Sequence, residues 1–171
     1  KMVNIKVAES AGFCFGVNRA VTAVENLLNE GKKVATLGPL IHNPAFIKQL
    51  ENRGALIIDE PEQLPDGYEL VVRTHGVTKT VYERILKLNR DFSDQTCPFV
   101  KKIQNIVNEN STPERPLLIA GDGFHPEVMG FRSYAHGESF TFSSAEELLE
   151  MLKNGIINPE KEMFVVAQTT F

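Results

Sequence analysis

The chain has no tryptophan, only two cysteines and no excess of positive charge among its 171 residues. Each shortage closes off a class of protein. Two cysteines make at most one bridge, too few for a disulfide-stapled scaffold. Eighteen Lys and Arg against 22 Asp and Glu leave a net charge of -4, the wrong sign for a nucleic-acid partner, which needs a basic stripe. No apolar run reaches the roughly 20 residues of a membrane-spanning helix. The opening "KMVNIKV" alternates instead of forming the apolar centre of a signal peptide. Neither G-x-x-x-x-G-K-[ST] nor G-x-G-x-x-G occurs, so no nucleotide fingerprint is present. What remains reads as a cytoplasmic globular protein with no nucleic-acid and no membrane partner. Thiols in that compartment stay reduced, which turns attention to metal-binding or catalytic roles for Cys14 and Cys97.

What is present is an alternation of two periodicities. Strands are predicted over 4–10, 32–37, 55–59, 68–72, 116–121, 139–142 and 163–167. Between them, Val17, Ala20, Val21, Val24, Leu27 and Leu28 recur at helical spacing. Asn43 followed by Pro44 reads as an N-cap and first-turn pair opening a helix that ends near Gly54. Val81, Ile85 and Leu88 mark another helix, and Pro98 opens one carrying Val100, Ile103, Ile106 and Val107. Shorter helices are predicted over 127–135 and 144–153. This order implies an α/β fold with mainly parallel sheets. The chain stops soon after the apolar run "MFVVA", an abrupt end that reads as truncation.

The pattern also repeats. Cys14 precedes His42 by 28 positions, and Cys97 precedes His125 by the same 28. A glycine stands four residues before each histidine, in "GPLIH" and "GDGFH", and a proline follows closely, Pro44 or Pro126. Gly54 and Gly137 both lie 40 positions after their cysteine. Two copies of one α/β unit are therefore expected, 1–90 and 91–171, with the boundary near 90–96. Each copy delivers a cysteine at the entry of its first helix and a histidine at the end of its next strand. Open α/β sheets place ligand sites at such strand ends.

A helix N-terminus favours the thiolate, the form that ligates metal, whereas a lone cysteine more commonly fills a core. Repetition tips the balance toward ligation for Cys14 and Cys97. His75 in "RTHGV", Glu127 in "HPEV" and Thr169 and Thr170 in "AQTT" also sit where a strand ends or a helix begins. A single such histidine is commonly a surface residue or cap, and a glutamate there commonly complements the helix dipole. Three histidines at strand ends suggest an anion pocket instead, with imidazolium groups and helix amides holding phosphate. Beside them Glu127 becomes a candidate general acid.

Taken in order, "GFCFGVNRAV", "GPLIHNP", "RTHGV", "DQTCP", "HPEV" and "AQTT" resemble the LytB or IspH family of 4-hydroxy-3-methylbut-2-enyl diphosphate reductases over essentially the whole chain. The resemblance implies three similar α/β domains in a pseudo-threefold trefoil, of which this chain is the first two, around a [4Fe-4S] cluster with one iron left open. It implies that Cys14 and Cys97 are cluster ligands, the third cysteine lying outside this chain. His42, His75 and His125 fall on diphosphate contacts, Glu127 on the proton-delivering acid, and Thr169 on a hydroxyl that orients it. The implied reaction removes the allylic hydroxyl of the substrate to give isopentenyl and dimethylallyl diphosphate, with electrons from a ferredoxin or flavodoxin. Alone, the chain is expected to be inactive, to hold an incomplete cluster or none, and to self-associate through its uncovered surfaces. Phe124 departs from the small or polar residue that the family usually has before "HPEV", which puts that part of the diphosphate wall in question. Two other readings stay open: a zinc module of Cys14, Cys97, His42 and His125, and a non-catalytic phosphate-binding domain.

Overall fold

A computed structural model describes residues 3–8 and 11–171. The first unit runs α1 (Phe15–Asn29), β1 (Lys33–Leu37), α2 (Pro44–Asn52), β2 (Leu56–Ile58), β3 (Tyr68–Val72), α3 (Lys79–Lys87) and β4 (Phe92–Asp94). The second runs α4 (Pro98–Asn110), β5 (Leu117–Ala120), α5 (Pro126–Ser133), β6 (Ser139–Phe142), α6 (Ala145–Lys153) and β7 (Phe164–Ala167). All ladders are parallel, in the orders β2-β1-β3-β4 and β6-β5-β7. The second sheet thus repeats the first three positions of the first sheet. In each unit the cysteine caps the opening helix and the histidine follows the central strand.

The strands read as apolar runs because both faces of the first sheet are covered. Val34 and Val71 turn toward α1 and α2, packing with Ala20, Val24 and Leu50. Their neighbours Ala35, Leu37, Leu70 and Val72 turn the other way, against Ile85 of α3 and Leu64. In the second unit Leu117 and Ile119 pack with Val100 and Val107 of α4 and Val128 and Phe131 of α5. Each fully buried Val, Leu, Ile or Phe among them contributes about 1.5–3 kcal/mol.

Two local expectations change. The strand predicted over 4–10 does not form within residues 3–8, where Val3, Ile5 and Val7 are 81%, 80% and 79% exposed. Alternation supplies a strand with a face but not with a partner edge, and no sheet edge among the described residues takes this segment up. Residues 9 and 10 of that prediction lie outside the described residues. Conversely, the short polar segment "FSD" pairs with β3 as β4, so the first sheet runs on to Asp94.

Candidate functional site

Three loops converge at the carboxyl ends of the strands. His42 follows β1, His75 follows β3, and His125 follows β5 as the N-cap of α5. Beside His42, Asn43 caps α2 by accepting from the Phe46 N–H at 3.1 Å. After His75, Gly76 adopts φ 71°, a left-handed turn that suits glycine. The rings meet as a cluster, with centroids 4.5 Å apart for His42 and His75, 5.4 Å for His75 and His125, and 6.0 Å for His42 and His125.

The electrostatics of this cluster correct one expectation. Burial pushes the His75 imidazole down to about 4, with further lowering from the nearby His42, Arg73 and His125. His75 is therefore neutral at pH 7 and offers a single N–H instead of an imidazolium charge. At His125, Nδ1 accepts from the Glu127 backbone N–H at 3.3 Å. That places the proton of the neutral ring on Nε2, which points it outward as a hydrogen-bond donor.

Those three histidines are also the one group of three or more metal-capable side chains among the described residues, with donor atoms within 4.8 Å of one another. The set anticipated for zinc, Cys14 and Cys97 with His42 and His125, does not assemble. Its cysteines and histidines arise at different helix N-termini and strand ends, and the cysteines stay outside the histidine cluster. The cap on His125 further favours donation to an anion, since ligation through Nε2 would need the ring proton on Nδ1.

Beside the histidines, Glu127 is 2% exposed. Its Oε1 accepts from the Thr169 backbone N–H at 2.7 Å. Thr169 thus meets Glu127 through its main-chain N–H. Gln168, buried at the end of β7, accepts from the Asp122 N–H at 3.0 Å and so ties the Thr169 turn to the loop after β5.

Cys14 and Cys97 are both free thiols, the first exposed and the second half-buried. Neither sulfur caps its own helix, so both remain available. Cys97 Sγ sits against Gly16, where a Cβ would lie 2.8 Å away. The glycine two residues after Cys14 therefore brings the second sulfur against the first cysteine's helix. One cleft of about 610 Å³ is lined by both cysteines and by His75, Glu127 and Thr169, with Phe15, Phe99 and Ile103 as apolar wall. His42 and His125 do not line this cleft: their rings stand beside His75, and His42 lines a neighbouring groove with Asn43 and Ile47. Phe124 is 92% exposed and lines a separate groove with Thr141 and Ser143.

Sequence reasoning missed Arg73, which faces the histidine cluster electrostatically, and Gln104, buried beneath it. The "RTHGV" context flagged the position of Arg73, but nothing in a single sequence marked Gln104 on an amphipathic helix.

Residues 5–171 match the LytB protein family. A 4-hydroxy-3-methylbut-2-enyl diphosphate reductase from Thermoanaerobacter sp. (strain X514) is 42% identical over 98% of this chain and 58% of its own length. One from Clostridioides difficile (strain 630) is 34% identical over 98% and 59%. A solved structure of (E)-4-hydroxy-3-methyl-but-2-enyl diphosphate reductase, the terminal enzyme of the non-mevalonate pathway, matches with a TM-score of 0.75 and 36% identity, over 99% of this chain and 59% of that one. The Plasmodium falciparum E-1-hydroxy-2-methyl-but-2-enyl-4-diphosphate reductase matches with a TM-score of 0.79 and 28% identity, over 95% and 50%. The chain spans between half and three fifths of the length of these relatives. With residues 5–171 matching the family and the chain superposing on a solved structure of one of its reductases, this chain belongs to the LytB protein family.

Proposed function

We propose that this chain forms the diphosphate-holding and proton-delivering part of a 4-hydroxy-3-methylbut-2-enyl diphosphate reductase. The observation that carries the reading is the single cleft in which two free cysteines face His75, Glu127 and Thr169. The reaction takes two electrons and two protons, breaks the allylic C–O bond and releases water with isopentenyl or dimethylallyl diphosphate. No protein side chain supplies those electrons, so the whole protein needs a redox group and an external donor such as a ferredoxin or flavodoxin.

Cys14 and Cys97 fit two corners of an iron-sulfur cluster, because both sulfurs are uncapped and line one cleft. A [4Fe-4S] cluster with one open iron takes a third thiolate, which this chain's two cysteines do not provide. When bound, such a cluster supplies electrons one at a time and a Lewis-acidic iron.

The chain's own residues do the rest. Neutral His75 and the outward Nε2–H of His125 donate to phosphoryl oxygens, with His42 beside them and the N-termini of α2 and α5 adding positive potential. Holding the diphosphate there orients the allylic end toward the cysteines. Glu127, fixed through Oε1 and shielded from solvent, delivers a proton from Oε2 to the departing oxygen. Phe15, Phe99 and Ile103 give the cysteine side of the cleft an apolar wall.

Calorimetric titration of this chain with inorganic diphosphate tests the binding half. His42→Ala and His125→Ala are each expected to weaken binding about tenfold, whereas Cys14→Ser leaves it unchanged. Binding that ignores both histidine substitutions would overturn the assignment. Binding that proceeds through the histidines in a whole protein that never turns over would instead support the non-catalytic phosphate-binding domain.

A further inference from the structure

Gln104 lies in the middle of α4, two turns beyond Cys97, and is 1% exposed. A buried amide is costly unless it has work to do, and a hydrophobic residue at this helical position would pack as well. Its surroundings come from two parts of the site, the His75 turn and α5. A Cβ on Gly76, the residue after His75, would lie 2.9 Å from Gln104 Nε2. A Cβ on Gly130, one turn after Glu127 in α5, would lie 3.2 Å from the same nitrogen. The nitrogen itself donates to the Val77 carbonyl at 3.5 Å, just past the His75 turn. Gly130 is a poor residue for a helix interior, costing stability relative to alanine, and the space it leaves is the space that the amide fills.

We infer that Gln104 is a positioning residue: its amide holds the His75 turn and the Glu127 helix in register with the helix that Cys97 caps. It touches no reacting atom and acts through His75 and Glu127. The inference deepens the functional reading above and rests on it for the meaning of those two residues. Mechanically, one side chain from the second unit links a turn of the first unit to the acid-bearing helix of the second. A hydrogen bond from the Lys79 backbone N–H at the start of α3 to the Ser133 side-chain Oγ at the end of α5, at 2.9 Å, also ties α3 to α5.

The test compares Gln104→Leu and Gln104→Met, which keep bulk but lose the amide, with Val107→Ala, which loosens the core one turn further along α4. In the free chain, the ring resonances of His75 and His125 are expected to shift in both Gln104 variants and to stay in place in Val107→Ala. The Kd for inorganic diphosphate is expected to rise about fivefold in the Gln104 variants, the loss of one net hydrogen bond, and to stay within twofold in Val107→Ala. All three variants lower thermal stability, so stability alone does not decide the matter. Unmoved histidine resonances in both Gln104 variants, or shifts equal to those of Val107→Ala, would overturn the inference. If the parent chain fails to bind diphosphate, the functional reading falls, and the histidine resonances still decide the role of Gln104.

Discussion

His75 carries the sharpest electrostatic signature at the scale of single residues. In an unfolded chain a histidine titrates near 6.5, about as in model peptides, whereas here burial, with further lowering from nearby His42, Arg73 and His125, holds His75 at about 4. Between those values the unfolded chain binds more protons than the folded one. Stability is therefore complete above about pH 6.5 and falls as pH is lowered toward 4. Thermal denaturation at several pH values is expected to show a steeper loss over this window for the parent than for His75→Asn. Parallel slopes would contradict the buried, neutral imidazole. Glu127 makes a second prediction. When this chain replaces the matching portion of the Thermoanaerobacter reductase, Glu127→Gln is expected to lower turnover by at least roughly 10²-fold, the usual scale of acid-base catalysis. Substrate affinity should remain within about tenfold, because the amide keeps Oε1 as an acceptor for the Thr169 N–H. Normal turnover would remove Glu127 from proton delivery.

Elements turn these residues into a site, since each functional side chain stands where a parallel strand ends or a helix begins. The cap of α2 shows how closely stability and geometry are joined. Asn43→Ala removes the side-chain acceptor for the Phe46 N–H and should cost about 1 kcal/mol. For a chain of this size that lowers Tm by about 2–4 °C, and it should also weaken diphosphate binding because His42 directly precedes the cap. A Tm drop with unchanged binding would separate the helix start from the pocket. These junctions were legible in the sequence because apolar periodicity, Asn43-Pro44 and the 28-residue spacing are local signals. The strand expected over 4–10 was not, since pairing depends on an edge elsewhere in the fold. Nor was β4, whose three residues carry no apolar alternation. The backbone route from Thr169 to Glu127 and the neutral state of His75 were equally hidden. Both arise only when loops distant in sequence close on one another.

For the molecule as a whole, the two units meet so that both cysteines share a single cleft with Glu127 and with His75, one member of the histidine cluster. With two thiolates, this chain is expected to retain fewer than four irons after anaerobic reconstitution and gel filtration, since a four-iron cluster with one open iron calls for three. A stable four-iron centre on the chain alone would show that its donor set is misread. The central claim is that this cleft performs the chemistry of the family, and the same chimera with the Thermoanaerobacter reductase tests it most directly. Purified without oxygen and supplied with a one-electron reductant, the chimera is expected to convert 4-hydroxy-3-methylbut-2-enyl diphosphate to isopentenyl and dimethylallyl diphosphate. Cys14→Ser and Cys97→Ser should each abolish both its iron and its turnover. A folded chimera that reduces the substrate equally well without either cysteine, or that binds iron and substrate yet never releases product, would contradict the account.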